Sequence, residues 1–380
     1  MKLYQILSIL FILYIGTCEK KPSEPIIGKE LELLWSFEYI DESISISSIS
    51  NSPTIYDPNT VFLSIDQSIT SINSLTGLQN WRYKLPDGSP IVTRKLLIYD
   101  QYMYQKHDKT NKISALNVED GSILWYLEVD NANFFDFRSD AISSRNLYLS
   151  TNDQRVIEVS KNGNYIRDLK LKYNFRSGHF LDGNLIIAHS YSDKDRAQHP
   201  NHRFGKIISY DLDADSVNWE YDNEYGGYTY APILLENGII YAGSTSGVNE
   251  FTAINAETGE LMWRRLGQES WAYTLGSNAI YINDGSDLVA LNKADGRKLW
   301  QTSFKGRGFA QSNVAYLDGY VYHSHSGALH VLEAITGEIV HKISISPDGS
   351  QFYNLSAGYG KVFVQSDYAL YAYKAWEELP

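Results

Sequence analysis

The stretch Ala253 to Trp263, AINAETGELMW, decides the fold. A small residue, an apolar residue and Asn255 lead to Gly259, and Gly259 leads to Trp263. The same spacing recurs in Ser71-Ile72-Asn73, Gly77 and Trp81, and in Ala115-Leu116-Asn117, Gly121 and Trp125. It appears again in Ala290-Leu291-Asn292, Gly296 and Trp300. Worn copies are Ser209-Tyr210-Asp211 with Asp215 and Trp219, and Val331-Leu332-Glu333 with Gly337 and His341. A shorter one is Glu158-Val159-Ser160 with Gly163 and Arg167.

The unit reads as a strand, a turn and a second strand. Asn or Asp bonds the local backbone in the turn, and Gly takes a positive φ without steric cost. Upstream of each copy lie further apolar runs, among them Ile239 to Ser244, Val321 to Ser324 and Val362 to Ser366. That makes four short strands per repeat at a mean period of about 44 residues, the content of one propeller blade. The alternation has period two, which excludes helical solenoids of similar period. Trp35 ends a strand with no inner strands before it, and Leu370 to Tyr373 is an inner strand with no Trp strand after it. Pairing them closes a ring, so the expected fold is all-β: an eight-bladed β-propeller of four-stranded antiparallel blades over residues 26–380.

This repeat resembles the pyrroloquinoline-quinone-like β-propeller repeat. The resemblance implies one of two kinds of protein: quinoprotein dehydrogenases, or non-catalytic lipoproteins of the BamB type from the outer-membrane β-barrel assembly machine. The dehydrogenases, as the resemblance has it, hold a quinone in the central funnel, usually with Ca²⁺ and an Asp base. They are much longer, and many carry a disulfide of adjacent cysteines. This chain has one Cys in 380 residues, so it can form no internal disulfide and no Cys-ligated metal site.

The chain carries a net charge of −12 with no long basic run, which argues against nucleic acid and against an anionic quinone. Arg94, Arg138, Arg176 and Arg307 near the expected blade starts are scattered among 33 basic residues. Asp211-x-Asp213-x-Asp215 lacks the Gly and Glu of a calcium loop and reads as a solvated turn. His323 and His325 share one face of a strand, with His330 across the next turn; a surface or interblade position is preferred to a metal site. Gly243 to Gly247 has Thr245 where a hydrolase elbow needs Ser. The expectation is no catalysis, no cofactor and no metal.

Residues 1–17 read as a lipoprotein signal peptide: Lys2, an apolar stretch from Leu3 to Ile15, and then Cys18, which resembles the lipidated Cys of a lipobox. Thr17 stands where that motif usually has Gly or Ala, and plain secretion is the competing reading. Residues 18–25 read as a polar tether. The expected address is the bacterial cell envelope, as an outer-membrane lipoprotein facing the periplasm or the surface, with a protein partner; a surface lipoprotein binding an external ligand is a further alternative.

Trp35, Trp81, Trp125, Trp219, Trp263 and Trp300, with Gly77, Gly121, Gly259, Gly296 and Gly337, are assigned to the scaffold. Two places are candidates for partner binding. Phe135 and Phe137 sit in a polar connection (Asp130 to Asp140), where a core strand is the preferred account and an exposed aromatic patch would mark a partner site. His199 and His202 lie in the long charged insertion from Ser190 to Lys206.

Overall fold

The computed structural model describes residues 30–39, 52–65, 68–84, 96–107, 111–130, 141–143, 145–151, 155–170, 175–181, 183–191, 204–223, 226–227, 233–244, 246–247, 249–268, 270, 272–305 and 313–377. They form eight four-stranded antiparallel sheets arranged as the blades of a propeller. Blade 1 runs from Thr54 to Lys84, blade 2 from Leu97 to Glu128, blade 3 from Ala141 to Lys170 and blade 4 from Phe175 to Asn223. Blade 5 runs from Leu234 to Leu266, blade 6 from Ala272 to Ser303 and blade 7 from Val314 to Ile343. Blade 8 joins Leu355–Gly358, Lys361–Gln365 and Ala369–Lys374 to Leu33–Glu38 from the other end of the chain. Gly226–Gly227 pairs with Ser246–Gly247 in a separate ribbon.

Position within a blade sets the composition of each strand. The second and third strands, such as Thr60–Ile65 and Ser68–Asn73, are buried along almost their whole length because a neighbouring blade covers each face. The fourth strands, such as Gln79–Lys84 and Lys298–Ser303, bury mainly the Trp and expose the residues around it. In the closing blade Trp35 lies opposite Ala372, Ser36 opposite Tyr371 and Phe37 opposite Leu370, and Tyr39 N donates to Tyr368 O at 2.8 Å.

The repeated Trp is the interblade joint. A Cβ built on Gly296 in blade 6 would stand 2.4 Å from Cε3 of Trp263 in blade 5, and one on Gly77 would stand 2.8 Å from Cδ2 of Trp35 in blade 8. Both glycines also have positive φ, so space and backbone each demand Gly. Gly121, Gly163, Gly259 and Gly337 meet Trp81, Trp125, Trp219 and Trp300 in the same way.

Five of the six repeat indoles also find an acceptor in the next blade. Nε1 of Trp35, Trp81, Trp263 and Trp300 donates to the carbonyls of Ser74, Val118, Lys293 and Ala334 at 3.0, 3.0, 2.8 and 3.0 Å. Trp125 does the same to Lys161 O at 2.7 Å. In four of these joints the acceptor directly follows the turn Asn or Glu, whose own carbonyl receives the Gly N–H; Asn73 and Gly77 do so at 2.8 Å. Across the hairpin the Trp faces a small residue: Ser71, Ala115, Ser209, Ala253, Ala290 or Ala372. That is the physical reason for the small residue that opens the repeat, since a larger one would occupy the indole's place.

Candidate functional site

The disc has two unlike faces. On one, here the turn face, lie the hairpin turns between strands one and two and between strands three and four. On the other, the loop face, lie the turns between strands two and three and all the connections between blades. Glu128 and Ala141, the strand ends that flank the segment with Phe135 and Phe137, lie at the loop face. Tyr191 and Phe204, the strand ends that flank the segment with His199 and His202, lie at the same face. Phe135, Phe137, His199 and His202 lie outside the described residues, as do Cys18, Arg94, Arg138 and Arg307 and the side chain of Arg176.

The described part of the loop face is polar beneath its surface. Asp348, in the connection from blade 7 to blade 8, accepts from the hydroxyls of Ser346, Ser350 and Ser366 and from Ser350 N at 2.8 Å. Partial burial pushes its carboxyl up, but the serine donors outweigh this and hold it at about 2. Asp348 therefore ties the connection to the turn of blade 8 as a fixed anion.

His323, His325 and His330 gather round Phe304 at the joint between blades 6 and 7, with ring centroids at 5.3, 4.9 and 4.8 Å from it. Burial drives His323 down to about 3 and His330 to about 4 and also lowers His325, so all three are neutral near pH 7. Among the described residues no group of three or more His, Cys, Asp or Glu is placed to hold a metal ion. The cluster is interblade packing with aromatic contacts.

One joint departs from the pattern in a way the sequence reading missed. Between blades 3 and 4 the Trp position is Arg167, the Gly position is Asp215, and the small position opposite is Glu158. Arg167 Nε donates to Glu158 at 2.7 Å, and its Nη2 donates to Leu212 O at 2.6 Å. Leu212 follows the turn Asp211, so this carbonyl is the one an indole would use. Asp215 lies 3.7 Å from the guanidinium and accepts from Tyr210 at 2.7 Å. Asn146 and Tyr148 also donate to the buried Glu158, at 2.7 and 3.2 Å. Beside this network lies a cavity of about 330 Å³, lined by Arg145, Tyr148, Glu158, Arg167 and Asp213 among others. The signal was present in the sequence as two charges in the small and aromatic slots of one repeat. Asp211, the first residue of the acidic triplet, caps its turn by accepting from Asp213 N and Ala214 N at 2.9 and 2.8 Å.

The family described as outer membrane protein assembly factor BamB matches residues 32–265, 203–346 and 284–377. The outer membrane protein assembly factor BamB of Shewanella oneidensis is 21% identical over 243 residues, which is 63% of this chain and 50% of that protein. The chain thus spans about half the length of that curated relative. The crystal structure of BamB from Moraxella catarrhalis superposes with a TM-score of 0.65 at 16% identity, covering 93% of this chain and 100% of that one. Quinohemoprotein alcohol dehydrogenase from Comamonas testosteroni superposes with a TM-score of 0.66 at 11% identity, covering 92% and 77%. At these identities the two structures speak for the fold alone.

Proposed function

The chain belongs to the family of the outer membrane protein assembly factor BamB, and from that premise we propose that it is a non-catalytic scaffold of the bacterial cell envelope that binds protein partners in outer-membrane protein assembly. The observation that carries this is the family match along the ring from residue 32 to residue 377. The regular residues of the repeat support it, because they are used up in joining blades: each indole and each turn Gly faces another blade. In this reading the dehydrogenase likeness is a likeness of blades, and the chain needs no quinone cofactor.

The finer parts of the reading are the anchor and the docking residues. Residues 1–17 are a signal peptide, Cys18 carries the lipid, and residues 18–25 tether the propeller of residues 26–380 to the outer membrane. Partners dock on the loop face through Phe135, Phe137, His199 and His202, a reading supported by the flanking strand ends Glu128, Ala141, Tyr191 and Phe204 at that face.

Co-purification of the full chain from its native envelope, with identification of the bound proteins, tests the proposal. Outer-membrane assembly proteins should be recovered with the parent and lost with Phe135→Ser/Phe137→Ser, while Cys18→Ser moves the protein out of the membrane fraction. Stoichiometric quinone binding with oxidation of an alcohol would overturn the scaffold reading.

A further inference from the structure

The turn face is not the same all the way round. In blades 2 to 6 the residue two places after the turn Asn, Ser or Asp is Glu119, Asn162, Asp213, Glu257 or Ala294. In blade 1 it is Leu75, in blade 7 Ile335 and in blade 8 Trp376. Leu75 and Ile335 are 58% and 83% exposed, and Leu78 beside Gly77 is 69% exposed. Within this sector the turn between the first two strands changes in blade 8. Blades 2, 5 and 7 put Asp100, Asn237 and Asp318 there at positive φ, whereas blade 8 puts Tyr359, 57% exposed. Blades 7, 8 and 1 thus expose Ile335, Tyr359, Leu75 and Leu78 at their turns, while Trp376 is half-buried. Single exposed apolar residues need no explanation, but a sector of them marks a contact surface.

The start of the chain lies in the middle of that sector. Lys374 N donates to Glu32 O at 2.8 Å, the bond that Asn73 N makes to Leu78 O in blade 1. Glu32 therefore takes the place of Leu78, and Leu31 takes the place of the turn Gly, next to His341 in the Trp slot. His341 stacks on Trp376 with ring centroids 5.1 Å apart. The turn of blade 8 is cut open: its halves are the two ends of the ring, and residues before Glu30 join the disc there. From Cys18 to Glu30 the chain can reach at most about 40 Å.

We propose that this sector of the turn face rests on the lipid bilayer. Leu75, Leu78 and Ile335 enter the headgroup region, and Tyr359 and Trp376 lie at its level, as amphipathic aromatics do at interfaces. The loop face is then turned away from the membrane and presented to partners. Glu30, Glu32 and Glu377 at the chain entry suit a zwitterionic rather than a strongly anionic lipid surface. The inference rests on the reading that the chain is anchored through Cys18.

The test uses full-length protein reconstituted in phosphatidylethanolamine–phosphatidylcholine vesicles that contain nitroxide lipids. An environment-sensitive fluorescent amino acid replaces Leu75 or Ile335, or else Glu257 on the opposite sector or Ser286 on the loop face. Intact mass reports natural lipid on Cys18. A chain without it disproves the anchor reading by itself and is then coupled through that thiol to a maleimide lipid, so the orientation is still measured. Severalfold stronger quenching and a blue shift at 75 and 335 relative to 257 and 286 are expected. Leu75→Glu/Ile335→Glu, read from the probe in place of Tyr359, should erase the difference while the protein stays membrane-bound. Equal quenching at all four positions, or strongest quenching at 286, overturns the proposal, including the case in which the sector is a protein-docking site.

Discussion

The joint between blades 5 and 6 and the joint between blades 3 and 4 solve one problem with opposite chemistry. In the first, Trp263 lies over Gly296, faces Ala290's counterpart Ala253 across its own hairpin, and donates to Lys293 O at 2.8 Å. In the second, Arg167 reaches the equivalent carbonyl, faces Glu158 across the hairpin and has Asp215 in the glycine's place. What these two joints share is therefore a donor bonded to the neighbouring turn and a filled space around it. An indole achieves this by apolar burial, and a guanidinium achieves it only when carboxylates accompany it. The three slots change together because a buried cation without partners is far costlier than either full set.

Exchanging the chemistries is the most severe test of that comparison. Trp263→Ala should cost about 3–5 kcal/mol, since a large buried side chain is removed and the glycine opposite cannot fill the gap. Arg167→Ala should cost less, about 1–3 kcal/mol, because Asn146 and Tyr148 still donate to Glu158. Glu158→Ala/Arg167→Trp/Asp215→Gly should rebuild an indole joint and match or exceed the parent in stability, as well-packed apolar replacements of buried ion pairs often do. Arg167→Trp alone should be destabilising, because the indole meets the Cβ of Asp215 and leaves Glu158 without its cation. Denaturant titration of the series checks this; additive effects of the three substitutions would sink the claim that they act as one unit.

How much of this was legible in the sequence depends on whether a residue's role is repeated. Trp263, Gly259 and Asn255 recur with fixed spacing, so the blades and the closure of Trp35 against Ala372 could be read from residue types alone. Arg167 and Glu158 occur once, and without coordinates a unique charged pair resembles decay of the repeat. The apolar sector at Leu75 and Ile335 was hidden for a related reason. Which turn residues share a face, and that the chain enters among them, follows only from the paired register. The partner residues are the least legible, because recognition is set by the partner's chemistry, which no internal repeat records.

The joint between blades 6 and 7 carries a second kind of polar insertion, one that responds to pH. It keeps the indole of Trp300 over Gly337 but adds His323 and His330 beside Phe304. Burial holds these imidazoles at about 3 and about 4, below the 6.5 of an exposed histidine, with Lys342 and His325 adding to the effect on His330. The unfolded chain therefore binds protons that the folded chain refuses. Their neutral burial is compatible with full stability above pH 6.5, and stability falls as the pH drops towards 4. Each should contribute about 1.4 kcal/mol of loss per pH unit in that window. His323 is the fourth residue of its strand, where blade 1 has Leu63, so His323→Leu should make the slope shallower by the share of one histidine. Urea midpoints measured between pH 7 and 5 decide it; an unchanged slope would show that His323 does not titrate on unfolding.

The smallest expected difference lies between two joints of the same type. Trp263 and Trp219 both lie over a glycine, Gly296 and Gly259, and both face a small residue across the hairpin. Only Trp263 has an acceptor for its N–H; Trp219 Nε1 is buried without a partner among the described residues. Phenylalanine fills much of the indole's volume and lacks the donor. Trp263→Phe therefore loses packing and also strands the carbonyl of Lys293, whereas Trp219→Phe loses packing and removes a group that was already unsatisfied. The first substitution should cost about 1 kcal/mol more than the second, the usual net worth of one such bond. The reference for both is the joint of blades 3 and 4, where the equivalent carbonyl is satisfied without any indole. If Trp219→Phe proves as costly as Trp263→Phe, then packing alone sets the strength of these joints, and the donor is not part of what Arg167 had to replace.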